Sequence, residues 1–209
     1  MPKTKTLTFY SFRPDLIRQG DFSRRKRRRV AMDILEETVL IYERLRKIKY
    51  RVIVDTGEDF IFGFQPANYH HLAGIQHLTD LYKMCIPESK DLFYRDIKNG
   101  KVREKDIRKS AKFHEIEERL YHFGVLEEIL EEGDARIIVE YNRDKISSKI
   151  DAKYYLYKRF GSQFDGSIRY HILFIGQNER RYFPATYIIE HSNIYIRNQE
   201  LHYCKIKHC

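Results

Sequence analysis

Apolar residues recur at helical spacing from the thirtieth residue onward. Val30, Ile34, Ile41 and Leu45 fall on one face, with Glu36, Glu37 and Glu43 off it, which predicts a helix. Residues 50–64 then alternate. Val52 and Val54 lead into Thr56-Gly57-Glu58-Asp59, and Phe60, Phe62 and Phe64 lead out, predicting a β-hairpin with its aromatic face inward. Helical spacing returns over 70–85, closed by Pro87. Shorter helices are expected at 90–98 and 104–109, separated by Asn99-Gly100. A longer helix over 113–130 carries the stripe Ile116, Leu120, Phe123 and Leu126 and is ended by Gly133.

From Ala135 the period changes to two. Strands are expected at 135–141, 152–160, 170–175, 182–189, 193–196 and 202–207, with Gly161, Gly166 and Gly176-Gln177-Asn178 among the turns between them. Helices first and consecutive strands afterwards predict an α+β fold with a twisted antiparallel sheet. The organisation expected is a basic arm, 1–29, before one domain, 30–209, helix-rich over 30–133 and strand-rich over 134–209.

Charge adds a partner class. Lysine and arginine number 39 against 30 acidic residues, a formal net charge of +9, alongside 16 tyrosines and 13 phenylalanines. Basic charge attracts phosphate irrespective of sequence, and aromatic rings are platforms for unstacked bases, so a nucleic acid is the partner expected. The arm ends in Arg24-Arg25-Lys26-Arg27-Arg28-Arg29, and Arg24, Arg25, Arg27 and Arg28 are candidate substrate contacts. Six cations flanking or forming the first turn of a helix oppose its dipole, a cost an anionic partner would offset; a solvated arm is the plain alternative. Three cysteines, Cys85, Cys204 and Cys209, without framework spacing fit a reducing compartment. No leader-like apolar run opens the chain, and none approaches the ~20 residues of a membrane span, so a soluble cytoplasmic protein away from membranes is expected.

The candidate chemistry is scattered. His71 opens His71-Leu72-Ala73-Gly74-Ile75 and can exchange protons near neutrality; at a helix N-terminus it would be held neutral, while a capping or core histidine is the ordinary alternative. His70 is its neighbour and ranks second. With a strand starting by Lys149, residues Lys149, Asp151, Lys153, Tyr155 and Tyr157 share a face, and an amine there suits a pentacoordinate phosphorane. Tyr182 and Thr186 flank Pro184 on one strand; the threonine could donate to a phosphate oxygen and the phenol could hold or stack on a base. Pro184 lacks a ladder donor, so this strand is expected at an edge or bulged. His202, Cys204, His208 and Cys209 gather metal-capable atoms, but their spacing matches no standard zinc pairing, and a frayed strand end is the ordinary reading. No metal and no cofactor are expected. A phosphate-cradling glycine loop and a nucleophile elbow are both missing.

The order of these segments carries a resemblance. His71-Leu72-Ala73-Gly74-Ile75, then 93–102 (Phe-Tyr-Arg-Asp-Ile-Lys-Asn-Gly-Lys-Val), then 149–158, then Tyr182-x-Pro184-x-Thr186-Tyr187 resembles the phage-associated Barnase–EndoU–colicin–RelE-like nucleases, fourth subgroup, over roughly residues 30–207. The resemblance implies helices before a small antiparallel sheet, and metal-independent RNA cleavage by a 2′-oxygen nucleophile, leaving a 2′,3′-cyclic phosphate and a 5′-hydroxyl. It implies His71 as base or acid, Lys153 on the scissile phosphate with Lys149 or Lys158 assisting, Thr186 on the phosphate and Tyr182 positioning the substrate. His70 directly before the first motif is a departure. A cytoplasmic endoribonuclease acting as a toxin or defence effector of a phage or mobile element follows, with a cognate antitoxin or host protein as a further partner. The rivals are a non-catalytic nucleic-acid-binding module and a phage protein that inhibits a host nucleic-acid machine.

Overall fold

The computed structural model describes residues 32–81, 90–146, 148–161, 166–179 and 181–209. The arm with Arg24, Arg25, Arg27 and Arg28, as well as Cys85 and Pro87, lies outside them. Helix α1 (Ile34–Arg46) takes up the first apolar stripe and buries Leu35, Val39, Tyr42 and Leu45. Its N-cap Asp33 accepts from Leu35 N at 3.0 Å and from Glu104 N at 2.8 Å. Glu104 opens the short α4 (Glu104–Ile107) and accepts in return from Ile34 N at 3.3 Å, so two helix starts cap each other.

The hairpin forms as its alternation predicts: β1 (Lys49–Val54) and β2 (Asp59–Gly63) pair antiparallel around Gly57, whose φ is +95°. Helix α2 (Pro66–Leu72) begins with proline at its first position and is four residues earlier than the spacing suggested. It also stops early. Gly74, at φ +78°, turns the chain into a single 3₁₀ turn, Ile75–His77, in place of a helix running to 85. A Cβ at Gly74 would lie 2.7 Å from an Arg119 guanidinium nitrogen and 2.9 Å from Ile116 Cγ2. Gly74→Ala therefore combines a left-handed backbone strain of about 1–2 kcal/mol with a clash. A melting-temperature loss of several degrees is expected, and an unchanged Tm in calorimetry would contradict this packing.

After α3 (Lys90–Lys98) and α4, the long helix expected over 113–130 is broken into α5 (His114–Tyr121) and α6 (Val125–Ile129). The break turns Phe123, fully buried, into the core. Gly124, a poor helix former, follows it. Phe123 joins Phe64, Tyr69 and Tyr94 around Tyr42, with ring centroids 5.2–6.3 Å from its own. This aromatic knot ties α1, α2 and α3 together.

Strands β3 (Gly133–Glu140), β4 (Tyr154–Gly161), β5 (Ile168–Asn178), β6 (Arg181–Glu190) and β7 (Glu200–His208) complete a seven-stranded sheet of order β2-β1-β7-β3-β4-β5-β6. Every neighbouring pair is antiparallel. One face packs on the helices through Val52, Phe62, Ile138, Leu156, Leu173 and Tyr187. The other carries Val139, Tyr155, Ile172 and Phe174, covered by Tyr141, Ile146 and Tyr195 from flanking segments. Burial on both faces explains the unbroken run from His171 to Gly176.

Three strand expectations are corrected. Residues 193–196 form turns, held by Asn193, whose carbonyl accepts from Ile196 N at 2.9 Å and Arg197 N at 2.8 Å. β4 begins at Tyr154, so Lys149, Asp151 and Lys153 precede the strand and do not share a strand face with Tyr155 and Tyr157. β7 is no frayed end: it pairs with β1 on one side and β3 on the other. β6, by contrast, is an edge strand with a bulge between Pro184 and Thr186, as the proline required. The sheet curls until its two edges meet, and Phe60 of β2 stacks on Tyr182 of β6 at 4.1 Å and 20°.

Candidate active site

Two polar clusters sit on the helix-facing side of β6. The first is built on the end of α2. His71 lies in the last turn of that helix, so the dipole there favours the imidazolium, opposite to the N-terminal placement expected from sequence. Its pKa is nonetheless pushed down to about 4, first by burial and then by the Lys90 ammonium. Lys90 Nζ lies 2.9 Å from His71 Nε2. The imidazole is thus neutral at pH 7 and half-buried, while His70 is fully buried with its ring edge-on to Phe93. The backbone carbonyl of His71 accepts from Thr186 Oγ1 and from Arg119, both at 3.5 Å. Burial brings the Arg119 guanidinium down to about 10.

The second cluster centres on Glu58, in the turn between β1 and β2. Its carboxylate accepts from Lys153 Nζ at 2.6 Å and from the hydroxyls of Tyr154 and Tyr182. Lys153 also donates to the Tyr182 hydroxyl at 3.2 Å. Burial pushes the Glu58 carboxyl up, and the three hydrogen bonds outweigh it, leaving the group below the usual carboxylate range. Burial lowers Lys153 and its partner Glu58 more than reverses this, so the ammonium is held charged. Beside Tyr182 an open groove is lined by Arg51, Asp59, Phe60 and Ile61.

The residues singled out in the sequence therefore fall into groups. Lys153 and Tyr182 are brought together, and Thr186 reaches the backbone of His71. Tyr182 and Thr186 are four residues apart on one strand, about 13 Å. Lys149 is exposed, before β4, in a second open groove with Arg143 and Lys145. Lys158 lies four residues beyond Tyr154 along β4, pairs with Glu128 of α6 and sits over the Phe160 ring at 5.5 Å, so neither lysine joins Lys153. At the C-terminus Cys204 is buried, Cys209 exposed, and the His208 ring bonds the Leu130 carbonyl at 2.9 Å.

Three contributors were missed: Glu58, Arg119 and Lys90. Glu58 carried no signal beyond lying in a turn. Arg119 had an indirect one, since Gly74 is glycine where that guanidinium packs. Lys90 at the first position of α3 had a direct one: a cation there opposes the helix dipole. Its removal should be visible. Taking away the positive charge favours protonated His71, so Lys90→Met should raise the His71 midpoint from about 4 toward, but short of, the ordinary 6.5, because burial remains. Stability linked to His71 is present above about 6.5 and falls as pH drops toward 4, and the variant should narrow that window. An NMR titration of the ring checks this, and an unmoved midpoint would remove Lys90 from the site.

Among the described residues no helix is long and apolar enough to cross a membrane. A family model described as phage-Barnase-EndoU-ColicinE5/D-RelE like nuclease 4 matches residues 34–208. No curated protein and no solved structure is significantly similar to the chain.

Proposed function

The chain belongs to this family of phage-associated Barnase–EndoU–colicin–RelE-like nucleases, and from that membership we propose that it is a metal-independent endoribonuclease whose site runs along β6 from His71 to Lys153. One observation carries the reading: a neutral, half-buried imidazole at the end of α2 lies against an ammonium, its backbone held by Thr186 of β6, the strand whose Tyr182 meets the charged Lys153.

The chemistry assigned is transesterification. His71 takes the proton of the 2′-hydroxyl, the 2′-oxygen bonds to phosphorus, and the bond to the 5′-oxygen breaks. The products are a 2′,3′-cyclic phosphate and a 5′-hydroxyl, the proton reaching the leaving oxygen from a general acid. The Tyr182 phenol, in contact with Lys153, is our choice for that acid. Lys153 balances the charge gathering on the phosphoryl oxygens, and Thr186 donates to one of them. Burial and then Lys90 keep His71 unprotonated, and Lys90 is displaced toward phosphate when substrate arrives. Lys149 and the arm arginines add sequence-independent affinity. A role as a toxin or defence effector in the cytoplasm, restrained by an antitoxin or directed at a host RNA, fits a phage-associated nuclease.

The test is incubation of the purified chain with tRNA and mRNA in EDTA. Cyclic-phosphate ends are the result expected. Salt-dependent binding with no product at any salt would replace the proposal with a non-catalytic RNA-binding module.

A further inference from the structure

At the end of the sheet where β3 and β7 pair, Glu140 stands directly opposite Glu200. Like charges in that relation destabilise a sheet. His202 lies on the same face, two residues along β7, with its Nε2 at 3.7 Å from Glu200 Oε1 and 3.8 Å from Glu140 Oε2. Both separations are too long for hydrogen bonds. The His202 side chain is only 11 % exposed, and its Nε2 is fully enclosed with no hydrogen-bond partner among the described residues. A buried ring nitrogen without a partner is costly, and this one is aimed between two carboxylates.

The geometry points to a divalent-cation site formed by His202 Nε2, Glu140 and Glu200. Their ligand atoms all lie within 4.8 Å of one another. An ion bonded at about 2.1 Å to nitrogen and oxygen in tetrahedral geometry separates its donors by about 3.4 Å, close to the spacings here. The other ring nitrogen, Nδ1, faces Asp55 Oδ1 at 3.5 Å, the place of the outer carboxylate that orients a metal-bound imidazole. Asp55 is itself fixed, accepting from Tyr203 N at 2.9 Å. Among the described residues none of Asp55, Glu140 and Glu200 pairs with a lysine or arginine. Glu140 and Glu200 also line an open groove with Asn142, Arg143, Lys145 and Asp151, so both carboxylates are reached from solvent. One imidazole with two carboxylates selects a borderline first-row cation, zinc before manganese.

The site is independent of the proposed cleavage chemistry, although it lies near it. Glu140's partner on β4 is Tyr154, whose hydroxyl donates to Glu58. The ion would clamp β3 to β7 and offset carboxylate charge close to Lys153.

Calorimetry with Zn²⁺ on the EDTA-treated, desalted full chain tests this. One saturable site is expected, together with a rise in Tm on adding Zn²⁺. The double variant Glu140→Gln/Glu200→Gln changes exposed side chains and should keep the fold while weakening Zn²⁺ by more than about 100-fold; Asp55→Asn should weaken it by about 10–100-fold. Cys209→Ser should bind as the unmodified chain does. No saturable binding, binding unchanged in the double variant, or binding lost in Cys209→Ser would each overturn the proposal.

Discussion

His71→Ala is expected to lower RNA cleavage by about 10²–10⁴-fold with little change in stability, the range in which a positioned general base acts. The stability half follows from which atoms of the residue hold the structure. Thr186 and Arg119 donate to the backbone carbonyl of His71, and alanine keeps that carbonyl. The lost ring hydrogen-bonds Lys90 and meets the edge of His70. Its neighbour gives the contrast. His70 is fully buried against Phe93, so His70→Ala leaves a cavity and should cost stability of about 2–3 kcal/mol while sparing activity per folded molecule. Cleavage rates normalised to folded protein, with product ends identified, separate the two histidines. Full activity in His71→Ala would move the base elsewhere on the molecule.

Lys153→Met is expected to cost about 10²–10³-fold in cleavage, as removal of one charge-stabilising donor does. The ion pair complicates the interpretation, because Lys153 is also the cation that Glu58 holds. Lys153 and Glu58 are 33 % and 29 % exposed, so the stability loss should stay near 1 kcal/mol, between the surface and buried extremes. Glu58→Gln resolves the ambiguity. It keeps the ammonium and both phenols while removing the charge that competes with phosphate for Lys153. If Lys153 serves phosphate, Glu58→Gln should lose far less than Lys153→Met. Equal losses in both would mean that the cluster holds the sheet edges together and does no chemistry.

Much of the fold could be read from periodicity, because most elements bury one face. The hairpin is the clearest case: Phe60 and Phe62 point inward as their alternation demands. The misreadings have local causes. The pattern of 113–130 is helical throughout, yet burying Phe123 required a turn at 122–124. Residues 193–196 look like a strand because Tyr195 is apolar for another reason: it covers the outer aromatic cluster. The candidate site was legible in its residue types and only partly in its partners. His71, Lys153, Tyr182 and Thr186 stood in recognisable segments. Glu58 entered because the sheet curls until β2 meets β6, an event that no local window records. The helix end occupied by His71 was misplaced because Gly74 stops α2 where an apolar run continues.

The position of β7 has a consequence for when the protein becomes active. This strand follows the other six described strands in sequence, yet it lies between β1 and β3 and is the bond by which the hairpin joins the rest of the sheet. A nascent chain still lacking it can form the hairpin and the run from β3 to β6, but it has no ladder to hold Glu58 beside Lys153 or to carry α2 against β6. The long sequence separation of β1 and β7 makes that closure a late and slow step. The candidate site would therefore assemble only once β7 is in place, and a chain interrupted before Glu200 would hold its pieces apart.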